Sequence, residues 1–270
     1  MVGSILSGTL LVRYPLSNLS ISILTVVKIM GSCLFIAGYK REEVTFNVDL
    51  TGIMSSLMIL SSASLVIPSA SYFADLPSDR SESGDYILTL SHIAAILLLV
   101  FYILYLVFQL KTHADIFTES NQAEPGVSPE LDAWAAGFVL VLATIGVSVC
   151  SDNLVDSVGG FVEVLGVSRA FIGLIIVPIV GNAGELVAAV NQARKRNIDF
   201  AIGLIVGSTL QIALFVTPFL VILGWIIGKP MSLRFDTFQT TVLSLSVIVV
   251  NCLIRDGRSN YFEGLLLIGT

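Results

Sequence analysis

Charge is what this sequence has least of. Only 13% of its 270 residues are Asp, Glu, Lys or Arg, against about 25% in an ordinary soluble domain. With 55% apolar residues and a mean hydropathy of +0.90, it cannot clothe a soluble surface. Several apolar stretches exceed the ~18 residues needed to cross a bilayer, so the expectation is an all-α, multi-pass membrane protein. Basic residues are scarcer than acidic ones, 14 against 20, giving a net charge of −6 and excluding a nucleic-acid partner from the reading. No basic region precedes the first apolar run, so no cleavable signal peptide is expected. Cysteines number three, Cys33, Cys150 and Cys252. Each sits in an apolar run without ligand spacing and reads as a small core residue, not a disulfide partner or zinc ligand. His92 and His113 stand alone and read as interface residues. No Ser/His, His-Glu-x-x-His or paired intramembrane Asp motif is present, so an enzyme is not expected.

The apolar runs predict helices at about 16–38, 50–74, 86–110, 133–151, 170–192, 199–227 and 236–254. A further run, Tyr261 to Thr270, stops after ten residues, too short to span ~30 Å of hydrocarbon. Both ends of the chain therefore read as cut. Lys40, Arg41, Lys111, Arg194, Lys195, Arg196, Arg255 and Arg258 fall on one side of this map. Arg80, Arg169, Lys229 and Arg234 fall on the other. The positive-inside rule makes the first side cytoplasmic. The polar connector 111–132 is then cytosolic and mostly acidic. It reads as a solvated linker, with a cation-attracting role as the sharper alternative.

Two short matches suggest an internal repeat. Val2-Gly-Ser-Ile-Leu-Ser7 resembles Val206-Gly-Ser-Thr-Leu-Gln211, and Val44-Thr-Phe-Asn47 resembles Leu233-Arg-Phe-Asp236. Five predicted helices separate the matched loops, an odd number, so the copies face opposite sides of the membrane. Inverted repeats of this kind build many secondary transporters.

One stretch organises the chemistry: Pro178-Ile-Val-Gly-Asn-Ala-Gly-Glu185-Leu-Val-Ala-Ala-Val190. A charge near the bilayer midplane costs about 2.5 kcal/mol or more. Glu185 is therefore either protonated, paired with a neighbouring helix, or part of an ion or proton path. Asn182 lies three residues earlier and shares its face. Pro178, Gly181 and Gly184 loosen the helix there. Ser208 and Gln211 are also three apart; they either tie helices together or complete an oxygen cage with Glu185 and Asn182. Hard cations such as calcium take six to eight oxygens. Asp152 and Asp156, four apart, mark a solvated helix end or an entrance for protons or cations.

These residues bear a family resemblance. Gly181-Asn-Ala-Gly-Glu185, Gly207-Ser-Thr-Leu-Gln211 and Arg255-Asp-Gly-Arg-Ser-Asn-Tyr-Phe-Glu-Gly264 resemble signatures of the cation/proton exchangers, specifically the vacuolar calcium/proton antiporters of the calcium:cation antiporter superfamily. The resemblance covers the chain except about Gly8 to Met30. It implies an incomplete inverted-repeat, sodium/calcium-exchanger-like helix bundle. Residues 1–110 would be a partial first repeat with an atypical insertion at 13–30, 111–132 the acidic connector, and 133–270 the second repeat. It implies Glu185 as the carboxylate for calcium and protons, Asn182, Ser208 and Gln211 as its neighbours, and Ser4 in the first repeat's matching helix. Leu186 stands where relatives usually have His. The first-repeat glutamate signature is absent, from which weak or absent transport by the chain alone is expected. The implied function is calcium/proton exchange across a vacuolar membrane; the alternative is a non-transporting fragment or regulatory subunit. The partners expected are the lipid bilayer, calcium and protons as transported ions, and either an intact exchanger or a second copy. No cofactor is expected.

Overall fold

The computed structural model describes residues 17–39, 41, 43–74, 80–114, 116–117, 132–165, 181–228, 231–233, 235 and 237–269. Its helices are α1 (Ser17–Gly38), α2 (Val48–Ala74), α3 (Arg80–Val107), α4 (Ala133–Leu165), α5 (Ala183–Arg194), α6 (Ile198–Gln211), α7 (Thr217–Ile226), α8 (Thr237–Ile254) and α9 (Tyr261–Gly269). Five-residue π turns extend α3 at Phe108–Thr112 and join α6 to α7 at Ile212–Val216. Among the described residues, four helical stretches are long and apolar enough to cross a membrane: Val48–Ser71, Tyr86–Thr112, Ile198–Ile226 and Thr237–Ile254. Shorter apolar helices occur at Thr25–Gly38 and Trp134–Cys150.

Helices α2 and α8 run antiparallel, and the contacts along them prove it. Near the start of α2, the Ser55 hydroxyl hydrogen-bonds Asn251 Oδ1 near the end of α8. Near the end of α2, Ser69 Oγ accepts from the Phe235 backbone N–H at 2.8 Å, two residues before α8 begins. The strand β1 (Val44–Thr45), which leads into α2, pairs antiparallel with β2 (Arg258–Ser259), which follows α8. The two loops matched by sequence therefore lie at opposite ends of this helix pair. Each buries its phenylalanine, Phe46 and Phe235. Ser91 on α3 adds a second clamp, its Oγ accepting from Leu233 N at 3.0 Å. Equivalent helices that run in opposite directions are the signature of an inverted repeat.

Helix α1 meets α9 through glycine. A methyl group built on Gly264 would lie 2.5 Å from the Phe35 amide nitrogen, and one on Gly31 would lie 2.7 Å from the Gly264 carbonyl oxygen. Backbones approach this closely in membranes only where small residues line the crossing.

Two expectations need correction. The helix predicted at 133–151 continues to Leu165, so Asp152 and Asp156 fall within a helix and not at its end; Gly159 and Gly160 did not suffice to stop it. Cys33 is buried as expected, but Cys150 and Cys252 are exposed, because an apolar run facing lipid exposes one side of each helix. The helix expected at 16–38 is present as α1, and within the segment expected to be an atypical insertion Val26, Val27, Ile29 and Met30 are buried, because α1 packs against α9, α8, α5 and α6.

Candidate functional site

Helices α5 and α6 form a tight hairpin, and its arithmetic places the site. The turn is Lys195-Arg196-Asn197. Arg196 takes a left-handed φ of 71°, and Asn197 caps α6 by accepting from Phe200 N at 3.3 Å. Glu185 lies eleven residues before Arg196, and Ser208 lies eleven after Asn197. Equal arms bring the two side chains opposite each other. At ~1.5 Å per residue they sit about 16 Å from the turn, close to half the thickness of ~30 Å of hydrocarbon. The basic turn, Arg194 to Arg196, anchors at the surface.

Ser208 Oγ donates to Glu185 Oε2 at 3.2 Å and also lies 3.0 Å from the Ile205 carbonyl oxygen. Glu185 is 7% exposed and Asn182 is 1% exposed. Asn182 begins α5 with φ −97° and ψ 5°, and its side chain makes no capping bond. Its carbonyl accepts from Leu186 N at 2.9 Å. Glu185 falls in the first turn of α5, where unpaired helix N–H groups favour a negative charge.

Three polar atoms here are buried without a hydrogen-bond partner: Glu185 Oε1, Asn182 Oδ1 and Asn182 Nδ2. Leaving such an atom unsatisfied costs about 1–3 kcal/mol. Two of the three are oxygens, and a carboxylate, an amide carbonyl and a hydroxyl form the hard-oxygen set that suits calcium. Gln211, one turn beyond Ser208 and half-buried, lies on the same side of α6. Among the described residues, no three His, Cys, Asp or Glu side chains gather as a metal cluster.

The structure thus brings Glu185 and Ser208 into contact and places Asn182 at the same helix end. Ser4 lies outside the described residues. Asp152 and Asp156 lie on α4, and their side chains are outside the described set. His92 behaves as an interface residue, its ring stacked on Trp225 with centroids 4.5 Å apart. Sequence reasoning missed Asp199. This residue accepts from Asn47 N at 2.6 Å and ties the start of α6 to the loop before α2. Its position in the first turn of a predicted helix was the available signal.

A family model described as "Sodium/calcium exchanger protein" matches residues 17–111 and 135–270. The match includes 17–30, which the sequence reading placed outside the resemblance. The chain is 38% identical over 269 residues to a "Vacuolar calcium ion transporter" of Schizosaccharomyces pombe, covering 99% of this chain and 61% of that protein. It is 35% identical to a "Ca(2+)/H(+) antiporter" of Aphanothece halophytica, covering 90% of this chain and 67% of the relative. The solved structure of native YfkE superposes with a TM-score of 0.77 at 32% identity, covering 99% of this chain and 77% of the other. The crystal structure of the H+/Ca2+ exchanger CAX shares the fold, with a TM-score of 0.71 at 13% identity, covering 99% and 68%. The chain spans about three fifths of the length of the first of these relatives, 61%. With its antiparallel repeat helices, its buried carboxylate and a family match over most of its length, the chain belongs to the sodium/calcium exchanger protein family.

Proposed function

We propose that this chain exchanges a divalent cation, calcium, for protons across an organelle membrane, with Glu185 as the carboxylate that carries both. The observation that carries the reading is the buried, half-satisfied Glu185 beside the unpartnered Asn182. A carboxylate at membrane depth needs a positive partner or a proton. Calcium supplies the first and protonation the second, and the two exclude each other. With the site deprotonated, Glu185, Asn182 Oδ1, Ser208 Oγ and Gln211 offer oxygens to calcium, and the other repeat or water completes the six to eight it takes. Protonation neutralises the acid and releases the ion. Rocking of the two repeats about the site then gives alternating access.

Calcium as the ion and the vacuolar membrane as the location are read from the names of the similar proteins. Catalysis of a chemical reaction forms no part of the proposal. The test is calcium uptake into vesicles holding the protein under an imposed proton gradient, beside equilibrium binding of radiolabelled calcium. Binding, and whatever weak uptake the chain supports without the first-repeat glutamate, are expected to vanish in Glu185→Gln. Binding without uptake would favour a regulatory subunit that pairs with an intact exchanger. Neither binding nor uptake, or both surviving in Glu185→Gln, would overturn the reading.

A further inference from the structure

The π turn Ile212–Val216 follows Gln211 directly. Such turns are uncommon inside α-helices and occur mostly as single turns, often near functional sites. The local sequence explains this one. Pro218 has no N–H to donate, and its ring opposes a regular α turn onto the carbonyl four residues back. The wider turn relieves that conflict. Thr217 then secures it: its backbone N–H and its hydroxyl both donate to the Ile212 carbonyl, the hydroxyl at 2.9 Å. Thr217 is fully buried, at 0% exposure.

The two sides of the turn rest on different neighbours. Helix α6 packs on α5, α1 and α2, whereas α7 packs on α3. Two ring contacts hold the second side: Trp225 on His92, and Phe215 on Tyr102 at 5.0 Å. With α7 held on α3, the π turn sets how far α6 is rotated. One residue of an α-helix corresponds to about 100°. Without the π turn, the rotation of α6 relative to α7 would change by about that angle, and the side of α6 carrying Ser208 and Gln211 could not stay on Glu185 while α7 kept its place on α3.

We propose that Thr217 is a positioning residue of the ion site: its hydroxyl holds the π turn that keeps Ser208 and Gln211 facing Glu185. The proposal rests on the reading of Glu185 as a calcium ligand.

Equilibrium binding of radiolabelled calcium to the purified chain tests both and tells them apart. Thr217→Val keeps the shape and removes the hydroxyl; calcium affinity is expected to fall about fivefold, the effect of one lost hydrogen bond. Thr217→Ser should bind as the unmodified protein does. Pro218→Ala restores a donor, allows a regular turn and should weaken binding by a separate route. A purely structural role for Thr217 would lower thermal stability and leave affinity unchanged. If Glu185→Gln abolishes binding while folded Thr217→Val and Pro218→Ala bind normally, the positioning role is wrong and the site reading stands. If Thr217→Val does not fold, Pro218→Ala decides. Thr217→Ser failing as badly as Thr217→Val would remove the hydroxyl from the argument. Unimpaired binding in Glu185→Gln, or none in the unmodified protein, would bring down the site reading and this assignment together.

Discussion

Ser208 Oγ donates to Glu185 Oε2 at 3.2 Å across the α5–α6 hairpin. That bond engages Oε2 and leaves Oε1 buried without a hydrogen-bond partner. On the function proposed above, Ser208→Ala removes one ligand oxygen and the donor to Glu185 together. The apparent KM for calcium is expected to rise about fivefold, with a smaller change in maximal uptake. An unchanged KM would show that Ser208 only joins two helices.

Much of this could be read before the structure. The spacing of Asn182 and Glu185, and of Ser208 and Gln211, put both pairs on helix faces, and the basic turn between them implied a hairpin. Periodicity could not show that Ser208 opposes Glu185, but equal arms about Arg196–Asn197 could have. The repeat was legible in Phe46 and Phe235 because a buried aromatic in a short loop leaves a recurring pattern. The length of α4 was not legible, since Asp152 and Asp156 look like a helix end when neighbouring helices are unknown. Nor was the packing of Val26 to Met30, because Arg13, Pro15 and Lys28 dominated the composition there. The π turn at Ile212–Val216 was hidden for another reason: it depends on what Thr217 and Pro218 do jointly to one carbonyl.

The glycine crossing of α1 and α9 predicts an asymmetric response to alanine. A Cβ on Gly264 would meet backbone atoms of Phe35 and Gly31, at 2.5 Å and 2.8 Å. Backbone cannot swing aside as a side chain can, so the helices must separate, at a cost of roughly 1–3 kcal/mol. Gly203 on α6 has nothing within 4 Å of its Cβ position, and alanine there should be neutral or gain up to ~1 kcal/mol of helix propensity. Thermal unfolding in detergent compares the two. Equal tolerance would mean that α1 and α9 stand further apart.

The Ser55–Asn251 bond joins the antiparallel pair α2 and α8 in a buried position. Asn251 Nδ2 also donates to its own helix, at the Val247 carbonyl, 2.7 Å away. Its side chain is therefore fixed before Ser55 reaches it. Hydrogen bonds between membrane helices average only about 0.6 kcal/mol. Ser55→Ala and Asn251→Ala should each destabilise by about that much or somewhat more, and the double variant by less than their sum. Fully additive losses would show that the two residues act independently.

At the end of the molecule where β1 meets β2, Asp199 holds two distant parts together. Its Oδ1 accepts the Asn47 N–H at 2.6 Å, across 152 residues of sequence. The Asn47 side chain in turn accepts from Asp49 N and Leu50 N, at 3.0 Å and 3.1 Å, capping α2. The neighbouring Phe46 N–H donates to Gly257 O at 2.9 Å. One carboxylate thus links the first turn of α6 to the cap of α2 and, through the loop, to β2. A hydrogen bond to a charged acceptor contributes about 1.5–3 kcal/mol, and the first turn of α6 adds a favourable dipole term of about 0.3–1 kcal/mol. Asp199→Ala loses both, whereas Asp199→Asn keeps an acceptor without the charge. Melting temperatures should therefore fall in the order unmodified, Asp199→Asn, Asp199→Ala. The last variant should also loosen the α5–α6 hairpin at its basic turn, read as faster amide exchange at Asn47 and Leu50 than in the unmodified chain. If Asp199→Ala melts with the unmodified protein and those amides stay protected, the link between α6 and the α2 cap is carried by packing alone.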